Sequence, residues 1–293
     1  MDYPISNPLV SICCTTYNLE KYIAEALDSF LMQKTSFDFE IIIGEDCSTD
    51  STKTIIETYQ QKYPDMIRII SSEKNVGVIR NYNRVIDAAK GKYLAICDGD
   101  DYWSTTYKLQ KQVDFLESNE EYVICCHYSE VVDGSGNLKY VDPDPVALEY
   151  SYNELIRGIR RETRNSTMLI RNSEAFKKII DQKWFLKCHV QDTSIKLFAT
   201  YVTGKKIFVL PEVMGMYRIH NSSGWSTLNS MVRKGKSRED FATLIENFEY
   251  NSNQKKSLFK AYFREFFYFD LKNLHFKNSI RALRTIAQRK AAN

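Results

Sequence analysis

The residues most able to do chemistry are Asp98-Gly99-Asp100-Asp101, which follow the apolar run Tyr93-Leu94-Ala95-Ile96-Cys97 directly. Three carboxylates this close repel one another unless a cation or hydrogen-bond donors compensate. A hard divalent metal does so by binding carboxylate oxygen, and it also bridges phosphates while keeping some of its water. The competing reading is a solvated turn, because Asp and Gly both favour turns. A place at the carboxyl end of a strand counts against that reading, since ligands of open α/β sheets gather there. Two further polar clusters end apolar runs in the same way: Thr15-Thr16-Tyr17-Asn18 and Glu45-Asp46.

Such clusters meet only if their strands lie side by side. Val10-Ser11-Ile12-Cys13-Cys14 reads as a buried strand, and Ile23, Ala26, Leu27, Phe30 and Leu31 then recur at helical spacing with Asn18 as the cap. Strands are expected at 40–44, 67–70 and 93–97, and helices at 51–63 and 78–89, closed by Pro64 and Gly91. This alternation requires crossover connections and a mostly parallel sheet. After Tyr102 the rhythm loosens. A helix at 107–118 leads into the apolar run 122–126, and Asp133-Gly134-Ser135-Gly136-Asn137 signals a turn. Asp142-Pro143-Asp144-Pro145 reads as a loop; short strands follow near 167–170 and 207–210, with a helix at 193–202 between them. From Ser237 the chain is helical, basic and aromatic.

Bulk properties exclude several classes. The chain of 293 residues is 43% hydrophobic and 26% charged, which suits a soluble globular protein with one large α/β domain. A net charge of only +3 is not that of a nucleic-acid-binding polycation. The seven cysteines lack metal-type spacing; Cys13-Cys14 and Cys125-Cys126 sit inside apolar runs as buried thiols, which points to a reducing compartment. No run of about 18 apolar residues occurs, and the polar segment 1–7 does not read as a signal peptide, so a cytoplasmic location is expected. Hydride chemistry is disfavoured, because no GxGxxG follows the first strand.

Four segments resemble inverting glycosyltransferase family 2, in that family's order: Pro8 to Asn18, Ile43-Gly44-Glu45-Asp46-Cys47-Ser48-Thr49-Asp50, Asn75-Val76-Gly77 with Arg80-Asn81, and Gly91-Lys92-Tyr93 running into Asp98–Asp101. The resemblance implies a GT-A fold, with a mostly parallel Rossmann-like central sheet flanked by helices, and a nucleoside-diphosphate-sugar donor. The implied donor pocket holds Thr15, Tyr17, Asn18, Asp46, Asn75, Arg80, Asp98 and Asp100. Thr15, Tyr17 and Asp46 would hold the base, Arg80 the base or diphosphate, and Asp100 the ribose or the metal. Asp101 would ligate Mn²⁺ or Mg²⁺, and Asp98 matches the commonest form of the motif. Gln191-Asp192-Thr193-Ser194-Ile195 resembles the family's catalytic segment, which makes Asp192 the base that takes the acceptor hydroxyl proton. Capping its helix is the alternative role for Asp192. Met216-Tyr217-Arg218-Ile219-His220 resembles the late Tyr-Arg-x-His segment, whose histidine reaches metal or diphosphate; imidazole favours Mn²⁺ over Mg²⁺. Residues 221–225 would form a loop that closes over the substrates.

The expected organisation is a nucleotide-sugar-binding half at 1–105, an acceptor-binding half at 106–235 and a basic aromatic helical C-terminal extension at 236–293. UDP is the nucleotide the resemblance favours, with dTDP and GDP open, and the acceptor would be a saccharide or lipid-linked saccharide of a bacterial surface polysaccharide. The tail either packs on the catalytic half or lies peripherally on the inner face of the cell membrane, its basic residues facing anionic lipid. A nucleic-acid partner is not expected, since no such motif is present. The alternatives are a sugar nucleotidyltransferase, which would carry a Gly-rich loop after the first strand, and a non-catalytic nucleotide- or sugar-binding module.

Overall fold

The computed structural model describes residues 7–159, 161–221 and 224–288. Most of the polar N-terminal segment, the two serines of the expected closing loop and the last five residues of the tail lie outside the described residues.

Strands β1 (Val10–Thr16) and β2 (Phe39–Glu45) are buried along almost their whole length. Strands covered on both faces read as continuous apolar runs, and these are parallel. β1 pairs in parallel with β2, which pairs with β3 (Ile67–Ser71), and on its other side with β4 (Tyr93–Ile96). Helices α1 (Ile23–Leu31), α2 (Thr52–Lys62) and α3 (Val78–Ala88) make the crossovers. Ile23, Ala26, Leu27 and Phe30 of α1 are buried, each large side chain contributing about 1.5–3 kcal/mol.

Beyond β5 (Tyr102–Trp103) and α4 (Lys108–Ser118) the sheet becomes mixed. β6 (Tyr122–Asp133) turns at Gly134 into β7 (Leu138–Tyr140), followed by β8 (Leu148–Tyr150) and the short α5 (Tyr152–Ile156). A 3₁₀ turn (Asn165–Thr167) precedes β9 (Leu169–Arg171), and α6 (Glu174–Lys177) leads to α7 (Gln191–Thr203). β10 (Lys206–Ile219) runs parallel to β6 and antiparallel to β5 and β8. The main strand order is β3-β2-β1-β4-β9-β6-β10-β5. The sheet is thus parallel through β4 and mixed thereafter, because β9 is antiparallel to both its neighbours.

Three expectations change. Asn18 does not cap α1: that helix starts at Ile23 with Tyr22 at its cap position and no side-chain cap bond. Leu19 carbonyl instead closes a turn by accepting from the N–H groups of Tyr22 and Ile23. The strand expected at 207–210 continues to Ile219, because bulges beside Pro211 let pairing with β6 resume. The C-terminal extension begins with α8 (Ser230–Asn247), ahead of residue 236. It continues through α9 (Ser252–Tyr262), a π-helical turn (Phe263–Phe267), α10 (Tyr268–Lys272) and α11 (Phe276–Gln288). Its Leu244, Phe248, Leu258 and Tyr262 share a core with Ile195 and Phe198 of α7.

Candidate active site

The carboxyl ends of β1, β4 and β10 converge with the start of α7. Thr15 at the end of β1 donates its hydroxyl to Asp98 Oδ1 at 2.7 Å, and Asn165 Nδ2 donates to Asp98 Oδ2 at 3.1 Å. Burial and then the charge of Asp100 push the Asp98 carboxyl up to about 6, against the two hydrogen bonds; Asp192 also raises it. The Asp192 carboxylate therefore lies within electrostatic reach of the acidic loop. A Cβ at Gly99 would sit 2.9 Å from Ile23 Cδ1 and 3.2 Å from Thr16 Cβ, so a side chain there would need Ile23 to shift.

The two aspartates that follow differ in environment. Asp100 Oδ2 accepts from His220 Nε2 at 2.9 Å, and the His220 ring tilts against Tyr22 at 4.5 Å. Asp101 is only 3% exposed, and its Oδ1 accepts the Arg218 backbone N–H at 2.8 Å. Burial, then repulsion from Asp100, holds the Asp101 carboxyl well above the usual carboxylate range. Asp101 is thus buried and tied to the backbone of β10, while Asp100 pairs with His220. Arg218 fixes that pair. Its Nε donates to the Asp100 carbonyl at 2.9 Å, its guanidinium pairs with Glu25, and it lies over the rings of Tyr22 and Tyr102 at 4.8 and 5.1 Å.

The donor set of Asp100 and His220 fits a divalent cation. One carboxylate and one imidazole suit Mn²⁺, and two protein ligands suffice where phosphates and waters complete the shell. No group of three or more His, Cys, Asp or Glu able to hold a metal occurs among the described residues, so the substrate would have to complete any such site.

Asp192 occupies the first turn of α7, where a helix N-terminus favours an anion. It is not the cap: that position is Val190, which makes no side-chain cap bond. Asp240 of α8 instead pins the two residues ahead of the helix, its Oδ1 and Oδ2 accepting the N–H groups of His189 and Val190 at 2.8 and 2.7 Å. Asp192 Oδ2 accepts from Lys196 Nζ at 2.9 Å. Lys196 is 1% exposed, and its other donors go to Thr163 O and Thr163 Oγ1 at 2.6 and 2.9 Å. All three ammonium protons have partners, so the cation is a fixed point beneath the carboxylate.

Thr15 donates to Asp98 and keeps its acceptor lone pairs. Asp46 accepts from the N–H groups of Val76 and Gly77 at 2.7 and 2.9 Å and from Ser72 Oγ at 3.2 Å. It thereby shapes the approach to α3, which starts from Gly77 at φ +86°, a conformation that glycine tolerates. Asn18, at φ +54°, accepts from the Thr49 N–H at 2.8 Å and joins the loops after β1 and β2. Tyr17 is 44% exposed, so it is not core packing. Asn75 and Arg80 are exposed at the start of α3. A polar trench of about 810 Å³ has Asn18, Tyr22, Asp50, Gly134 and His220 in its walls.

Sequence reading missed Lys196, Asn165 and Asp240 and gave Arg218 no role. Only Lys196 carries a local signal, the i,i+4 spacing from Asp192. The others act through contacts distant in sequence.

A sequence profile described as glycosyl transferase family 2 matches residues 11–202, which take in Thr15, the 98–101 loop and Asp192. The chain belongs to glycosyltransferase family 2. An uncharacterized protein of Mycobacterium tuberculosis is 35% identical over 227 residues, 77% of this chain and 63% of that protein. The chain thus spans less than two thirds of that relative. The putative teichuronic acid biosynthesis glycosyltransferase TuaG of Bacillus subtilis is 38% identical over 109 residues, 37% of this chain and 42% of its own length. Among solved structures, Staphylococcus aureus TarS 1–349 in complex with UDP-GlcNAc superposes with a TM-score of 0.69 at 22% identity, over 95% of this chain and 80% of that one. Mannosyltransferase PcManGT of Pyrobaculum calidifontis, in complex with GDP-Man and Mn²⁺, gives 0.61 at 18% identity, over 97% and 74%. These likenesses place the family 2 chain in the GT-A fold.

Proposed function

We propose that this chain is an inverting glycosyltransferase that moves a hexose or N-acetylhexosamine from a nucleotide-sugar, with UDP as the nucleotide, to a saccharide acceptor of a bacterial surface polysaccharide. The observation that carries the reading is the position of Asp192: on the first turn of α7, anchored by Lys196, and within electrostatic reach of the acidic loop that ends β4. UDP-GlcNAc in TarS and the naming of TuaG as a putative teichuronic acid biosynthesis glycosyltransferase support the donor and the pathway class.

In this mechanism the Asp192 carboxylate accepts the proton of the attacking hydroxyl on the face opposite the diphosphate. Lys196 and the α7 N-terminus hold that carboxylate oriented before attack. Among the described residues, buried Asn165 Oδ1 and Gln191 Nε2 have no hydrogen-bond partner, which would leave an acceptor and a donor for the sugars. Tyr17 offers an exposed ring face to the base, with Asn75 and Arg80 beside it. Asp100 and His220 would hold Mn²⁺ or Mg²⁺, whose contribution is to neutralise charge on the departing diphosphate. The basic aromatic tail contacts the membrane surface peripherally; among the described residues no helix is long and apolar enough to cross a membrane.

Replacing Asp192 by asparagine keeps the shape and removes the base. Turnover, read as UDP release from UDP-GlcNAc with Mn²⁺ and a saccharide acceptor panel, should fall on the order of 100- to 10,000-fold, with UDP affinity kept within about twofold. Equal rates for Asp192→Asn and the parent would exclude the assignment.

A further inference from the structure

Tyr217 stands where the two halves of the site meet. Its neighbour on β10, Arg218, gives its backbone N–H to Asp101 and sends its side chain to Glu25 and the rings of Tyr22 and Tyr102. Successive strand residues leave opposite faces, and the half-buried Tyr217 ring goes the other way, under the Arg164 guanidinium at 5.5 Å. That guanidinium is itself fixed. Its Nη1 donates to Glu162 Oε2 at 2.8 Å and to Ser129 Oγ at 2.9 Å. Glu162 is 9% exposed and sits at φ +54°, a backbone conformation that non-glycine residues seldom adopt outside functional or turn sites. Thr163, directly before Arg164, accepts from Lys196 through its carbonyl and hydroxyl, and Lys196 in turn holds Asp192. Asn165, directly after it, holds Asp98. One short segment therefore ties the cover of Tyr217 to the candidate base and to the acidic loop. The phenol itself is unspent: among the described residues its hydroxyl has no hydrogen-bond partner. Burial, then the charges of Asp101 and Asp100, hold it well above the usual tyrosine range, and Asp192 adds to them against Arg164. The hydroxyl is thus protonated, with all three carboxylates within electrostatic reach.

We propose that Tyr217 contacts the transferred sugar, its phenolic hydroxyl hydrogen-bonding one of the sugar's own hydroxyls. The proposal rests on the transferase reading above. In that reading the attacking hydroxyl gives its proton to Asp192 and the diphosphate departs at Asp100. The anomeric carbon lies in line between them, so a side chain reached by both carboxylates meets the sugar ring rather than the base. Arg164, clamped by Glu162 and Ser129, fixes the aromatic ring that carries the hydroxyl. Such a contact also selects, because a sugar lacking the partner hydroxyl leaves the phenol unpaired.

Calorimetric titration in Mn²⁺ compares UDP with UDP-GlcNAc on the parent and on Tyr217→Phe, which keeps the ring under Arg164. The variant should bind UDP within about twofold of the parent and UDP-GlcNAc about three- to tenfold more weakly, the factor that one neutral hydrogen bond supplies. A packing defect would move UDP as well, so the split between the two ligands is the readout. UDP-GlcNAc analogues lacking the 3-, 4- or 6-hydroxyl locate the contact on the parent, whether or not the variant folds. One of them should lose the same factor on the parent and lose nothing further on Tyr217→Phe, as coupled partners do. The proposal is overturned if UDP and UDP-GlcNAc weaken together on the variant, or if neither weakens. It is also overturned if no deoxy analogue weakens on the parent, or if every deoxy loss multiplies with that of the variant. A parent that binds neither UDP nor UDP-GlcNAc removes the donor reading itself, and this contact with it. A parent that binds both, with a variant that binds UDP-GlcNAc equally well, removes the contact alone.

Discussion

Replacing Asp101 by alanine removes the acceptor of a buried N–H, that of Arg218. An orphaned buried donor costs about 1–3 kcal/mol, so Asp101→Ala should melt several degrees lower. Asp100→Ala and His220→Ala take nothing from the backbone ladder. They should melt near the parent and lose the Mn²⁺ dependence of UDP binding, on the order of 10- to 100-fold in metal affinity. Thermal melts combined with UDP titrations at varied Mn²⁺ separate the two roles. If Asp101→Ala alone abolished metal dependence with its melting temperature intact, the two roles would have to be exchanged. Lys108 offers a pH test at the same scale. Its ammonium is fully buried, meets no hydrogen-bond acceptor among the described residues and sits 4.0 Å over the Trp103 ring. Burial pulls it down to about 7. The unfolded chain then binds the proton up to an ordinary lysine value while the folded chain has released it, so this residue makes stability rise with pH from about 7 to about 10.5. Lys108→Met removes the buried charge. Its melting temperature should exceed the parent's most clearly below pH 7, and the gap should close as pH rises through that window. A gap independent of pH would show that Lys108 does not titrate there.

At the scale of elements, α7 is held from outside itself. Two bonds from Asp240 of α8 fix His189 and Val190, the residues directly ahead of the first turn of α7. Asp240→Ala removes two hydrogen bonds and should cost about 1–3 kcal/mol, and it should lower kcat while leaving UDP affinity alone, as the proposed nucleotide pocket on β1, β2 and α3 requires. Asp240→Asn keeps one acceptor and should fall between. A kcat equal to the parent's in Asp240→Ala would show that the clasp does not position Asp192. The parallel half of the fold was legible in sequence because each strand is one apolar run closed by polar residues, and each helix repeats its buried face. The acidic loop and Asp192 were legible for the same reason, since both sit where an apolar pattern starts or stops. What was hidden depended on distant partners. Asn18 looked like a cap because its residue type fits one, whereas its side chain is taken by Thr49. β10 looked short because Pro211 and Glu212 interrupt its pattern, although pairing with β6 carries it on to the site. Sequence shows the Asp101 carboxylate but not the Arg218 N–H, 117 residues away, that it accepts.

For the whole molecule, the C-terminal helices both pack and expose. Leu258, Ala261, Tyr262, Phe266, Ala282 and Ile286 are buried, while Phe263, Tyr268, Leu271, Leu274, Phe276 and Ile280 are 37–75% exposed. Lys260, Lys272, Lys277, Arg281 and Arg284 are exposed along the same stretch. Basic residues among solvent-facing aromatic and aliphatic side chains are the composition of a helix that lies on an anionic membrane surface. Deleting the tail would not test this, since it would strip the cover from α7 and unfold the protein. Substituting only exposed positions does. Tyr268→Ser, Leu274→Ser and Phe276→Ser combined alter side chains that are 75, 75 and 50% exposed, so the melting temperature should move by no more than a few degrees. Flotation with phosphatidylglycerol vesicles should fall at least about tenfold. Parent flotation should also weaken as salt is raised, because the Debye length shrinks from about 10 Å at 0.1 M to about 3 Å at 1 M. A triple variant that floats as well as the parent would leave these side chains without a membrane role, and the tail would then be only the cover over α7.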